Sequence, residues 1–179
     1  IDHEERVIYL GTFSKSIAPS LRISYMVLPL HLLKKYQESC SFYSTTVSKI
    51  QQEVLREFIR GGYFGRHLNK MRGIYKNKHD FLVGELKKKN WVENIAGDNA
   101  GLHVLVQVNT TLTEEEICKK AAECGIRLMG IREHYIHTPP EGRPVLLLGY
   151  GKPDEQEIQK GLEVLESIVL ENRIPLPLR

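Results

Sequence analysis

Apolar positions repeat with two different periods along the chain, and the change of period marks its elements. Val7 to Leu10 and Leu21 to Leu28 are short apolar runs rich in strand formers, with Gly11, Thr12, Ser14, Lys15, Ser16, Pro19 and Ser20 between them. This predicts strand, tight polar turn, strand. After Pro29, His31 to Tyr36 reads as a short helix and Ser39 to Thr46 as a polar loop. The period then becomes helical. Val47, Ile50, Val54, Phe58 and Ile59 recur at three- and four-residue steps opposite Lys49, Gln52, Glu53, Arg56 and Arg60, and Gly61-Gly62 ends the helix. From Tyr63 to Asn90 few breakers occur, and Leu68, Met71, Tyr75, Leu82 and Leu86 share one face of a long helix.

From Trp91 strands and helices alternate. Leu102, Val104, Val106 and Val108 alternate with His103, Leu105 and Gln107, as in a strand with one buried face. Thr113-Glu-Glu-Glu116 is a capping-box signature for a helix carrying Ile117, Ala121 and Ala122, closed by Cys124-Gly125. Ile126 to Met129 reads as a short strand, Pro139 to Pro144 as a loop and Val145 to Leu148 as a buried strand. Asp154 and Glu157 cap a last helix with Ile158, Leu162, Leu165 and Ile168 inward. The tail Ile174-Pro-Leu-Pro-Leu-Arg179 admits neither regular helix nor central strand. The class is α/β, with one sheet and packed helices over 91–179.

Composition narrows the function classes. A length of 179 residues supports one sizeable core or two small ones, and a formal charge of +3, spread along the chain, does not argue for nucleic acid or anionic lipid. The basic face of the long helix (Arg66, Lys70, Arg72, Lys76, Lys78, Lys87 to Lys89) has no base-reading motif beside it, so a solvated face is expected. No apolar run approaches the roughly 20 residues of a membrane helix. Three cysteines, Cys40, Cys118 and Cys124, form no close pair, which predicts a reducing, cytoplasmic setting.

One lysine carries candidate chemistry. Lys15 stands among hydroxyls, with Arg22 seven residues on. A lysine amine attacks carbonyls when desolvation or a neighbouring cation favours its neutral form, and Thr12, Ser14 and Arg22 are donors of the kind that hold a phosphate. A turn lysine that points into water is the alternative. Glu133, His134 and His137 lack the i, i+4 spacing of a zinc helix, and His103 is expected to be packed rather than catalytic. No Walker loop occurs.

The segment Arg6 to Pro29 closely resembles the cofactor-lysine region of fold-type I aminotransferases, and among them the aminotransferase-like half of the MocR-type GntR transcription regulators. Gly61-Gly-Tyr-Phe-Gly-Arg-His-Leu-Asn-Lys-Met-Arg72 with Tyr75, Ala100-Gly-Leu-His103 and Leu146-Leu-Leu-Gly-Tyr150 continue the likeness in order. The resemblance implies a C-terminal fragment of a fold-type I transferase that depends on pyridoxal 5′-phosphate. Residues 1–45 would be the tail of the large cofactor-binding domain, 46–90 connecting helices including the long inter-domain one, and 91–179 the small α/β domain. Lys15 would be the Schiff-base lysine, with Thr12, Ser14 and Arg22 facing the phosphate. A winged helix that binds DNA, and the residues contacting the pyridine ring, would precede Ile1. The ligand would be an amine or amino acid, and the full-length protein a homodimer in the cytoplasm, with no membrane partner.

The likeness fails at one informative position. Amino-transferring relatives place an arginine two residues before the glycine of Leu148-Gly149-Tyr150, where its planar fork grips an α-carboxylate; here that residue is Leu147. Arg143 would share its strand face but lies about 13 Å away along a strand. The group could instead be gripped by Arg127 or Arg132, the ligand could be no standard amino acid, or the domain could sense rather than turn over. The implied function is therefore the effector and oligomerisation part of a regulator, inactive as a fragment. A plain aminotransferase, with Lys15 also moving the α-proton, is the alternative.

Overall fold

Antiparallel pairing between two central strands, β4 (His103–Val108) and β6 (Val145–Gly149), organises the larger part of the molecule. The computed structural model describes residues 4–97, 101–138 and 141–172. β3 (Val92–Ala96) flanks β4, and the two-residue β5 (Met129–Gly130) flanks β6, giving the order β3-β4-β6-β5 with every pairing antiparallel. The chain divides into two compact units, Ile1–Arg72 and Gly73–Arg179.

In the second unit, alternation decides the core. Val104, Val106 and Val108 are fully buried while His103, Leu105 and Gln107 between them are not. Leu146 and Leu148 extend the same buried face across β6. Three helices contribute to that core: α4 (Tyr63–Lys87) with Leu82, Val83 and Leu86, α5 (Glu114–Glu123) with Ile117 and Ala121, and α6 (Glu155–Leu170) with Ile158, Leu162, Leu165 and Ile168. The caps expected at Thr113 and Asp154 both form complete reciprocal capping boxes. Trp91 is fully buried, and its indole N–H donates to Glu166, which also pairs with Lys89 at 2.7 Å.

Glu114 is the buried charge of this unit. Its carboxylate accepts the backbone N–H of Arg132 at 2.8 Å and of Val145 at 2.9 Å, joining the segment after β5 to the start of β6. A Cβ on Gly130 would lie 2.3 Å from the same carboxylate, so this glycine is required by close approach.

In the first unit, β1 (Tyr9–Thr12) and β2 (Ser24–Val27) form a two-stranded ladder pairing Tyr9 with Val27 and Thr12 with Ser24. The Tyr25 ring lies over its cross-strand partner Gly11, where a Cβ would come within 2.3 Å of the ring. α2 (Leu30–Cys40) and α3 (Lys49–Arg60) follow. The helical stripe of α3 is real but uncovered: Ile50 and Val54 are 78% and 65% exposed.

Several expectations need correction. The turn holding Lys15 contains one helical turn, α1 (Phe13–Ser16), because Thr12 caps it. α2 runs to Cys40, into the stretch read as loop. Ile126 to Leu128 is not strand: the Ile126 N–H bonds to Ala121 O and the Gly125 N–H to Ala122 O, a Schellman closure of α5 that removes the donor a ladder needs. β3 was not foreseen, since Val-Glu-Asn-Ile-Ala alternates poorly and carries a register shift between Val92 and Asn94. His103 is exposed rather than packed. Pro139, Pro140 and the tail from 173 lie outside the described residues.

Replacing Glu114 with alanine removes the acceptor of two part-buried N–H groups, and urea unfolding is expected to show a loss of about 2–4 kcal/mol. Glu114→Gln, which keeps a carbonyl acceptor, is expected to lose less. Hydrogen bonding from Lys89, then from Trp91, outweighs burial and lowers the pKa of Glu166. A carboxylate held lower in the folded than in the unfolded state stabilises above the ordinary glutamate range, and that contribution disappears as pH falls through the lowered value. Stability measured from neutral to acid pH is therefore expected to fall less steeply in Glu166→Gln than in the parent chain.

Candidate cofactor site

Lys15 is the third residue of the one-turn helix α1. Thr12, in extended conformation, caps that turn by accepting the Ser14 N–H at 3.2 Å. The return path is tied back at several points. The Phe13 N–H and the Thr12 hydroxyl both donate to the Ile23 carbonyl, at 2.9 and 3.3 Å, and the Ser14 hydroxyl donates to Leu21 O at 2.8 Å. Ser16 closes the other side through Thr12 O at 3.3 Å. Rings add to the brace, with Phe13 and Tyr25 centroids 5.2 Å apart and Phe13 and Phe64 5.9 Å apart. The lysine is thus carried on a short, heavily bonded turn.

Lys15 and Arg22 are both exposed, and among the described residues neither has an ion-pair or hydrogen-bond partner. Thr12 and Ser14 differ from them in a way the sequence does not reveal. Each hydroxyl has one proton, and both protons are directed at backbone carbonyls. Toward a phosphate dianion, which only accepts, the free donors are the Lys15 ammonium and the Arg22 guanidinium. The donor set fits pyridoxal phosphate: an accessible amine, an uncommitted guanidinium, and two hydroxyls that can exchange a carbonyl for a phosphate oxygen by rotation.

The arginines considered as carboxylate grips separate clearly. Arg143 pairs with Glu93 at 2.8 Å and donates to the buried Asn109 side chain, so it joins β3 to the end of β4. The Arg132 backbone N–H is held by Glu114, whose carboxylate lies 3.9 Å from its guanidinium. Arg127 is exposed and has no ion pair among the described residues. Leu147 stands in register between Leu105 and Met129, an apolar row across three strands.

The remaining motif residues turn out to be neighbours. Tyr150 N–H donates to Leu102 O at 2.9 Å, the Tyr150 hydroxyl to Gly101 O at 2.8 Å, and His103 pairs with Gly149. Burial raises the Tyr150 pKa, keeping it a neutral donor. These segments clamp β4 to β6. Glu133, His134 and His137 are exposed, and among the described residues no group of three metal-binding side chains occurs. None of the helices among those residues is long and apolar enough to cross a membrane.

Comparison with known proteins gives the family of the chain. The chain is 39% identical over 168 residues to the uncharacterized HTH-type transcriptional regulator YdeL of Bacillus subtilis strain 168, an alignment covering 93% of the chain and 36% of that protein. It is 30% identical over 182 residues to the probable rhizopine catabolism regulatory protein MocR of Rhizobium meliloti, covering 99% of the chain and 36% of the relative. The chain thus spans about a third of the length of these relatives. Among solved structures, Pyrococcus horikoshii kynurenine aminotransferase in complex with PMP superposes with a TM-score of 0.77 at 26% identity, over 95% of the chain and 42% of the enzyme. The fold is that of the fold-type I aminotransferases. The profile of aminotransferase class I and II matches residues 1–159, and the chain belongs to that family.

Proposed function

We propose that the chain is the pyridoxal-phosphate-binding, aminotransferase-like effector part of a transcription regulator, with Lys15 the attachment point of the cofactor. The observation that supports this most is the pair of uncommitted cations, Lys15 and Arg22, on a turn held by Thr12 and Ser14. Bound there, the cofactor would supply an aldehyde for the amine and an electron-accepting ring. Arg22 would hold the phosphate with its planar fork, joined by the Thr12 and Ser14 hydroxyls as each turns from its carbonyl. Residues 1–45, 46–90 and 91–179 would serve as large-domain tail, connecting helices and small domain.

The regulator reading rests on the likeness to YdeL and MocR and on Leu147, whose aliphatic side chain holds no carboxylate. An amine or amino-acid ligand displacing Lys15 from the cofactor would act by differential contacts with two arrangements of the full-length protein, a cytoplasmic homodimer reading DNA through its own upstream domain. A catalytic transaminase is the second reading, favoured by the likeness to kynurenine aminotransferase. There the Lys15 amine, once released, would carry the α-proton.

Borohydride reduction with pyridoxal phosphate, followed by peptide mapping, is expected to label Lys15 selectively, and Lys15→Ala to abolish the label. Arg22→Gln is expected to weaken cofactor binding about 10- to 100-fold, the equivalent of a charge-assisted hydrogen bond of roughly 1.5–3 kcal/mol. Labelling scattered over many lysines would remove the assignment. In the full-length protein, amines are expected to change the cofactor spectrum and operator affinity without releasing keto acid; steady keto-acid release would establish the transaminase instead.

A further inference from the structure

A cavity of about 420 Å³ opens in the second unit between the Gly125–Leu128 segment, the end of β6 and α6. Its walls are apolar, with Ile126, Leu148, Ile158 and Leu162 among them. One glycine on it has no packing reason to be glycine. Gly161 lies in the interior of α6, where alanine would favour the helix by about 1 kcal/mol. Yet a Cβ there would meet nothing within 4 Å. Its φ is not positive. Its effect is to leave the space open, for position 161 falls on the stripe of Ile158 and Leu165 that faces the core.

Charge on the cavity is unbalanced in one direction. Arg127 and Lys152 line it, both exposed and without a side-chain partner among the described residues. Glu157 also lines it, but its carboxylate accepts the Asp154 N–H at 2.9 Å in the α6 cap. The Lys78 ammonium adds positive charge beside it, seated on the Gly151 and Lys152 carbonyls at 3.4 and 3.3 Å. A volume in the ordinary range of ligand pockets, apolar walls and two free cations suit a monoanion with an apolar body.

We propose that this cavity binds a small amphipathic carboxylate, its body against Ile126, Ile158 and Leu162 and its carboxylate on Arg127 and Lys152. The site is lined by residues of the second unit alone and does not depend on the cofactor reading. Titrating the ¹⁵N-labelled chain with octanoate, and with octanol as the uncharged control, tests it. Saturable shifts are expected at the amides of Arg127, Gly149 and Gly161, with octanol at least tenfold weaker. Arg127→Gln with Lys152→Gln is expected to weaken octanoate at least tenfold and leave octanol unchanged. Gly161→Leu fills the space and raises helix propensity, so it is expected to abolish binding with the remaining spectrum preserved, and Gly161→Ala to weaken it partially. Absence of saturable shifts, shifts confined to residues 4–72, equal binding of octanol, or unaltered binding by Gly161→Leu and Gly161→Ala would each overturn the proposal.

Discussion

The pairing of β4 with β6 is the constraint on which the second unit depends. Val104 opposite Leu148 and Val106 opposite Leu146 place four apolar side chains on one face of the sheet, where α4, α5 and α6 contribute to the same core. A slip of either strand by one residue would turn its two to the other face, so the register is enforced by burial rather than by the hydrogen bonds themselves. Other devices serve that register from outside. Glu114 ties the start of β6 to the segment after β5, and Tyr150 fastens its end to Gly101 and Leu102. The same register sets Leu147 between Leu105 and Met129 on the opposite face, which makes that position part of an apolar row.

Around Lys15 the constraint is of another kind. Little is buried in residues 4–72; Ile23 is its buried aliphatic side chain, and many large apolar residues remain exposed. The lysine turn keeps its shape through short-range hydrogen bonds from Thr12, Phe13 and Ser14 to the carbonyls of Leu21 and Ile23. Such bonds hold geometry at little net stability each, about 1 kcal/mol.

Much of the architecture was legible because it follows from periodicity and caps. The alternation of Val104, Val106 and Val108, the boxes at Thr113 and Asp154, and the inward stripe of α6 are local properties and were found where expected. β3 escapes the pattern because it alternates poorly and its partner β4 lies further along the chain, and the Ile126 segment because the closure of the helix just before it competes with strand pairing. Strand identity depends on a free donor row, and the Schellman closure of α5 had already used one of its members.

The sequence by itself determined the family, through the run around Lys15, and the helical and strand periods that make an α/β fold. It also made Lys15 and Arg22 the candidate cofactor cations. Only tertiary structure decided which polar groups were already committed. Arg143 is bound to Glu93 and Asn109, Thr12 and Ser14 direct their protons at carbonyls, and Arg22 has no partner among the described residues. The physical reason is that a period is written in neighbouring residues, whereas a donor's availability depends on acceptors that folding brings from distant parts of the chain.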